Sequence, residues 1–397
     1  MKTPPFVHFC FLFPFIISTF NFQVFATYMI SEVLAQLIAY GNLGLLILGT
    51  SLIIKKRGEF SRTARLWIIY FLMYFTFAML ASAILFNPGS LLISIIPFIY
   101  VLAFYLYLSI PENRELFKKV ALISFICSSL LSVFLFTINF DLDNKGIHIY
   151  KLDRAEGIYG DANNTALMSI ISFIFVYKVF QPTHKLLKLL RLVLLGAMFY
   201  CLFITFSNTG FMVFIISLIM LNYKFFTGIK MIVGVALLPI LYITLINLNT
   251  ITANMDLIGQ QRNKINNIVN ILTFNTDKVD DSGRNELVQN LLHYIYESPF
   301  IGNGIDFAVS QHGHNTIVGV WADAGIFTLL MFLFMLGKYF QRSIQCTPDV
   351  RYFILPMMLT FCIFMLSLQS IINQPYLVVL FIYMGYLVDN NKKQIVF

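Results

Sequence analysis

One short stretch of this chain gathers side chains that can move a proton or hold an anion. Residues 282–325 read SGRNELVQNLLHYIYESPFIGNGIDFAVSQHGHNTIVGVWADAG. A histidine beside water has an ordinary pKa of about 6.5, so His314 can take a proton near neutral pH and act as a general base. Asn315 follows it and can orient the imidazole or a bound hydroxyl. Arg284 brings a forked, permanent cation suited to phosphate oxygens. It stands where a helix begins, and unpaired backbone N–H groups at that end also attract anions. The alternative for Arg284 is a side chain that snorkels to lipid phosphate. Gly302-Asn303-Gly304 makes a tight, sterically open turn between these groups.

A second stretch has the same flavour. Residues 139–163 read NFDLDNKGIHIYKLDRAEGIYGDAN. Arg154 is either an anion ligand or a headgroup anchor. Gly157 and Gly160 let the backbone turn after it, and Asn163 or Asn164 can cap the helix that follows. Arg262, farther along, is a third cation that could reach an anionic ligand. Asp323 lies two turns into an apolar helix, as an interface polar group or the partner of an outer cation. His293 falls on the helix side away from Arg284 and reads as surface.

Metal chemistry finds little support. Asp141-x-Asp143 resembles part of a calcium loop, but Lys145 and Leu152 stand where oxygen ligands are required. His312, His314 and Asp306 are too few and too scattered for a zinc site. Cys10, Cys127, Cys201, Cys346 and Cys362 show no ligand spacing. No metal and no cofactor are expected.

The elements that must position these residues are membrane helices. The 397 residues are 58% apolar and only 12% charged, with mean hydropathy +0.79, a balance that no water-exposed surface supports. The expected fold class is an all-α polytopic membrane protein with about twelve spans. They fall near 6–25, 33–54, 66–86, 91–110, 120–138, 164–181, 189–207, 209–226, 230–248, 316–337, 352–370 and 374–388. The first run could instead be a cleaved signal peptide, but Asn21 and Gln23 lengthen it and favour a retained span. Twenty of the 27 Lys and Arg residues fall on one side of this arrangement. Leaving out the long loop, only three fall on the other. Positive residues mark the inside, so both termini lie inside and segments 139–163 and 249–315 lie outside. The organisation is then residues 1–248 with nine spans, 249–315 as the large outer loop with short helices, and 316–397 with three spans and a short tail. Within the loop, a helix from Asp281 or Ser282 to about Tyr296 carries the stripe Leu287, Val288, Leu291, Leu292 and Ile295. The net charge of +8 is topological; no basic run interleaved with aromatics suggests nucleic acid.

Taken in order, Ser282-Gly283-Arg284, Ser298-Pro299-Phe300-Ile301-Gly302-Asn303-Gly304, His314-Asn315 and Ala322-Asp323-Ala324-Gly325-Ile326 resemble the O-antigen ligase and O-antigen polymerase family, which includes capsule and exopolysaccharide polymerases. Arg154 to Asn164 looks like that family's segment before a span. One departure stands out. Ser207-Asn208-Thr209-Gly210 lacks the arginine that the family often carries there, a role that Arg154 or Arg262 would have to fill. The resemblance implies a metal-independent glycosyltransferase of lipopolysaccharide or capsule synthesis in the bacterial inner membrane. Its active loop would be periplasmic, its donor a polyprenyl-diphosphate-linked oligosaccharide and its acceptor a sugar hydroxyl. A flippase and a chain-length regulator are the implied protein partners, alongside membrane lipid. His314 would be the base, with Arg284 and Arg154 stabilising the diphosphate that leaves. Asn315, Gly302, Gly304, Asn163, Asn164, Arg262 and Asp323 would contact substrate. A polymerase is the first expectation, a ligase the second. A non-catalytic flippase is the remote one, since internal repeats and intramembrane charges are missing.

Overall fold

The computed structural model describes all residues except 1–2, 57, 86–90, 143, 145, 225–235, 237–238, 240–241, 256, 279–283, 370 and 392–397, and except the side chains of residues 92, 260, 276, 284 and 285. The described chain is helical apart from one two-stranded hairpin, Phe140–Asp141 with Gly146–Ile147. Its helices are α1 (Pro5–Thr19), α2 (Phe22–Met29), α3 (Glu32–Ile53), α4 (Arg65–Ile84), α5 (Leu91–Tyr107), α6 (Pro111–Thr137), α7 (Ala162–Val179), α8 (Lys185–Ile204) and α9 (Asn208–Leu221). Four short ones follow, α10 (Leu248–Ile251), α11 (Gly259–Leu272), α12 (Arg284–Glu297) and α13 (Phe307–Ser310). Three long ones close the chain, α14 (Thr316–Ile344), α15 (Pro348–Phe364) and α16 (Pro375–Asn390).

Among the described residues, six helices are long and apolar enough to cross a membrane, or seven if the bent pair α1–α2 counts as one span. The expectation of twelve is therefore reached only in part. Every expected span except the ninth coincides with a helix, and 230–248 lies largely outside the described residues. Several of these helices are short. At 1.5 Å per residue, the 14 residues of α9 reach about 21 Å, less than the roughly 30 Å of a hydrocarbon core.

Two spans are broken. The first bends by 56° between α1 and α2, where Asn21 takes a left-handed conformation. The tenth keeps a helical trace across Gly325, whose φ of 76° and ψ of 177° are not helical. In an unbroken helix the Ile326 N–H would bond the Ala322 carbonyl. Here Ile326 N donates to Pro299 O (2.9 Å) and Ala322 O accepts from Asn303 N (2.8 Å). Gly304 N likewise donates to Asp323 O (3.1 Å). The break thus exchanges helical bonds for bonds to the 299–304 turn, which a low-dielectric setting demands.

The centre of the bundle is aromatic. Trp67, Tyr70, Phe104, Phe117, Tyr339 and Phe381 are fully buried. At the end remote from the long loop, Asp389 gathers the Ser61 hydroxyl (2.7 Å), the Thr63 N–H (2.8 Å) and the Thr63 hydroxyl (2.7 Å), with Arg342 at 3.6 Å. That knot ties the start of α4 to the ends of α14 and α16.

An added Cβ at Gly325 would overlap the Phe300 carbonyl and would demand a strained positive φ, whereas Gly337 in the same helix has open space around it. Gly325→Ala is expected to destabilise the protein by at least about 1–3 kcal/mol. Gly337→Ala should be neutral or stabilising by about 0.5–1 kcal/mol. Unfolding midpoints of the two variants in detergent, compared with wild type, check this.

Candidate functional site

Two polar clusters form at the end of the bundle where the 139–163 and 249–315 segments emerge. The first is built on the break in α14. Pro299 ends α12, and Gly302 and Gly304 take positive φ values of 81° and 121°. An added Cβ at Gly302 would meet the Asp323 backbone, and one at Gly304 would meet Ser82 of α4. These two glycines are therefore required by close docking as well as by backbone conformation. Ser298 Oγ donates to Gly302 O (2.7 Å), and Trp321 Nε1 donates to Pro299 O (3.0 Å). Ile305 N donates to Ser82 Oγ (3.1 Å), which fixes the turn on α4.

Asp323 is buried in this cluster. It accepts from the Tyr74 hydroxyl (2.9 Å) and from Ala308 N (2.7 Å). Its partners are a phenol and a backbone N–H, so neither role expected from its position applies as such: it is buried, and no cation pairs with it among the described residues. Asp306 lies beside it in a left-handed conformation and accepts from the Ser94 hydroxyl of α5. Burial raises the Asp306 carboxyl above the usual carboxylate range, and the Ser94 hydroxyl draws it partway back.

His314 is exposed at this cluster. Asn315 caps α14, its side-chain oxygen accepting from Ile317 N and Val318 N at 3.0 Å each. This gives Asn315 a structural use that takes up its carbonyl oxygen. The next residue, Thr316, donates through its N–H to Met365 O (2.7 Å) and through its hydroxyl to Leu368 O. Gly313 and Gly319 flank the Gln369 amide, which lies close enough that an added Cβ at either would have to displace it. Gln369 Oε1 is buried without a hydrogen-bond partner among the described residues.

The stripe on α12 packs as its spacing requires. Leu291 and Ile295 are buried against Ala308 and Ala322, with Leu292 and Trp321 beside them. Arg284 is the first residue of α12; its side chain, and the expected cap at Asp281 or Ser282, lie outside the described residues. His293 is exposed and stands 3.8 Å from Glu297.

The second cluster surrounds Arg154. Its Nε donates to Thr205 O (2.9 Å), and Ala155 N donates to Ile204 O (2.9 Å). The guanidinium is thus held at the turn between α8 and α9, beside the Ser207–Gly210 stretch. It lines a cleft of about 310 Å³ together with Asp141, Lys151, Asp153 and Glu156. Asp161 caps α7 by accepting from Asn164 N (2.7 Å), so the cap expected of Asn163 or Asn164 belongs to a carboxylate two or three residues earlier. That leaves Asn163 to accept from the Ser207 hydroxyl (2.7 Å) and Asn164 to accept from Gln374 Nε2 (3.0 Å). Gln261 Nε2 donates to Asp153 O (2.8 Å). This bond brings the start of α11, with exposed Arg262, against the segment that carries Arg154.

The 365–374 segment joins the clusters, with Gln369 at the first and Gln374 at the second. Sequence reasoning passed over it, and over Tyr74, Ser82 and Ser94. The polar run Ser367, Gln369, Asn373 and Gln374 between two spans was the available signal; the α4 and α5 residues carried none. Among the described residues no group of three His, Cys, Asp or Glu side chains could hold a metal ion.

Residues 192–333 match a protein-family model described as O-antigen ligase. No curated protein matches the chain. The matched stretch runs from α8 to the middle of α14 and contains Ser207–Gly210, Arg262, Arg284, the Gly302–Gly304 turn, His314 and Asp323. It omits Arg154 and Asn163, which the fold brings to its α8–α9 turn, and Asn164, which bonds Gln374. Through residues 192–333 the chain is similar to the O-antigen ligase family, the group that the ordered motifs of the 282–326 stretch resemble.

Proposed function

We propose that the protein is a surface-polysaccharide polymerase of this family, an inner-membrane glycosyltransferase. It takes glycan from a polyprenyl-diphosphate carrier and joins it to a sugar hydroxyl at the periplasmic face. The observation that carries the reading is the convergence of the family domain's α8–α9 turn with Arg154. This turn lacks the arginine the family often has there, and Arg154 comes from outside the matched stretch to anchor on Thr205 O. A leaving diphosphate gathers negative charge, and arginines held beside it stabilise that charge without a metal. Arg154 and Arg284 take this role, with Arg262 on the adjoining helix.

The other half of the reaction is deprotonation of the attacking hydroxyl, assigned to His314. His314 is exposed, on a loop closed at one end by the α14 cap and at the other by the Gly302–Gly304 turn. The cap and the turn anchor the two ends of the loop that carries the imidazole. Asn315, spent on the cap, positions His314 and does not bind substrate through its oxygen. Gly302, Gly304 and Asp323 hold the turn. Asn163 and Asn164 join the 160s turn to Ser207 and Gln374, and substrate contact is left to their amide N–H groups.

A second reading is favoured by the description of the matched family: an O-antigen ligase, which moves finished polymer from the carrier to lipid A–core or another acceptor. Both readings use the same donor and the same residues. Transport without catalysis has less support: the buried acid described within a span, Asp323, is engaged by Tyr74 and Ala308.

A gel of surface polysaccharide from a deletion strain separates these readings. A single repeat unit on lipid A–core marks a polymerase. Long chains stranded on the carrier mark a ligase, and unchanged products would reject both. His314→Ala is expected to lower the transfer rate by about 10²–10⁴-fold with normal amounts of protein in the membrane; normal product from that variant would exclude the base role. Arg154→Gln should cost about 10²–10³-fold in turnover of purified enzyme, and a wild-type rate would remove Arg154 from the site.

A further inference from the structure

Asp306 has no part in the transfer proposed above. It is half-buried on the loop between the Gly302–Gly304 turn and His314. Its backbone is left-handed, with φ 53° and ψ 22°. That conformation is uncommon for a residue with a side chain, and it persists where neighbours hold it. Two spans hold it here. Asp306 N donates to the Tyr74 hydroxyl of α4 (3.3 Å), and Asp306 Oδ2 accepts from the Ser94 hydroxyl of α5. The preceding residue is tied as well, since Ile305 N donates to Ser82 Oγ (3.1 Å). The carboxyl group is therefore placed by α4 and α5 together, although its loop lies between α12 and α14.

The anchoring uses one carboxylate oxygen and leaves the other. Oδ1 has no hydrogen-bond partner among the described residues. Unlike Gln369 Oε1, it is not sealed inside the protein. The Tyr74 hydroxyl donates to Asp323 Oδ2 (2.9 Å), so its proton is not available to Asp306. A carboxylate oxygen only accepts, so what meets Oδ1 must donate. A divalent cation needs about six oxygen ligands, and the cluster does not supply them. Asp323, its other acid, has one oxygen engaged by Tyr74 and the other by Ala308 N. A phosphate or a sugar acid would be repelled. A hydroxyl group fits.

The surroundings favour a sugar as its carrier. Phe307, the next residue, stands edge-on to the exposed Tyr294 ring (5.1 Å, 76°), and such rings offer an apolar surface to C–H groups. Gly313 N donates to Ala308 O (2.9 Å), which folds this segment back on itself. Asp306 and His314 thus stand at the two ends of one closed loop. We propose that Asp306 Oδ1 accepts a hydroxyl of the acceptor sugar and selects that sugar for the His314 loop. The acceptor assignment rests on the transfer reading above; the binding of a non-acidic sugar does not.

The test separates an open oxygen from an anchor. In Asp306→Asn the amide oxygen still accepts from Ser94, and asparagine tolerates the left-handed backbone. The change therefore turns the open acceptor into a donor. Ser94→Ala removes the anchor from the other side and keeps the carboxylate. Saturation-transfer NMR is run on the purified full-length chain, in a detergent without a sugar headgroup, with D-galactose, L-rhamnose, N-acetylglucosamine and D-glucuronate. Wild type is expected to give signal for a neutral sugar and none for glucuronate. Asp306→Asn should reduce that signal at least about fivefold and Ser94→Ala less than about twofold. Asp306→Gly, which suits the left-handed backbone without a side chain, should match the Asn variant and decides the matter where the latter unfolds early. No signal for any neutral sugar, an unreduced signal in both Asp306 variants, or equal loss in Ser94→Ala would overturn the proposal. In a transfer assay, Asp306→Asn should raise the acceptor KM about ten- to hundredfold, the scale of a hydrogen bond to a charged group, with donor KM and kcat near wild type. A raised donor KM would overturn the acceptor assignment. Sugar binding lost in Asp306→Asn alongside normal polymer from His314→Ala would remove the transfer reading and leave the sugar site standing.

Discussion

The exchange of backbone hydrogen bonds at Gly325 is the constraint on which the rest of this structure leans. A helix broken inside a membrane leaves carbonyl and N–H groups with no water to meet them. Here the 299–304 turn supplies the partners, so Pro299 O takes Ile326 N and Asn303 N covers Ala322 O. Neither element is satisfied without the other. The turn is locked to the span, and with it the end of α12, the Asp306 loop and the histidine segment. Glycine at 302, 304 and 325 makes the approach close enough, and Asp323 secures it from the side by holding Tyr74 and Ala308.

A polar loop over an apolar bundle would ordinarily be mobile. This one is tied down repeatedly by short, specific bonds from the spans beneath it. Ser82 and Ser94, at the ends of α4 and α5, reach Ile305 and Asp306. Thr205, at the end of α8, receives Arg154. Gln374, just before α16, donates to Asn164. Each donor or acceptor sits at a helix end, where the backbone has unmet groups of its own. The bundle's middle stays aromatic and close-packed, and the polar clusters lie at its ends: the candidate site at one, the Asp389 knot at the other. For the transfer proposed above this placement is apt, since a lipid-borne donor would stay in the bilayer while its head group met cations at the surface.

Much of this was legible in the sequence. Long apolar runs marked the helices, because only a continuous hydrogen-bonded helix can cross a membrane. The period of Leu291 and Ile295 gave the buried face of α12. The spacing of Arg284, Gly302, Gly304, His314 and Asp323 identified the family's segment, since such turns and caps are local and are written in neighbouring residues. Other features were not legible. The use of Asp161 rather than an asparagine as the α7 cap, the break at Gly325 within an apolar run, and the shortness of α9 all depend on how neighbours pack. Gly325 stood in a recognisable motif, but nothing in that motif showed a break until Phe300 was seen against it.

From sequence alone came the membrane class, the run of helices, the polar segments at one face and the residue types able to move a proton or hold a phosphate. These follow from composition and local periodicity, which act over a few residues. Only the tertiary structure decided which polar groups meet. Arg154 joined the α8–α9 turn, Gln374 joined Asn164, and Ser94 joined Asp306, 212 residues away. Such pairings are set by the bending of α1–α2 and α14 and by the order in which the helices pack. No spacing along the chain encodes them, because the free energy that fixes them is gained only when distant helix ends satisfy one another away from water.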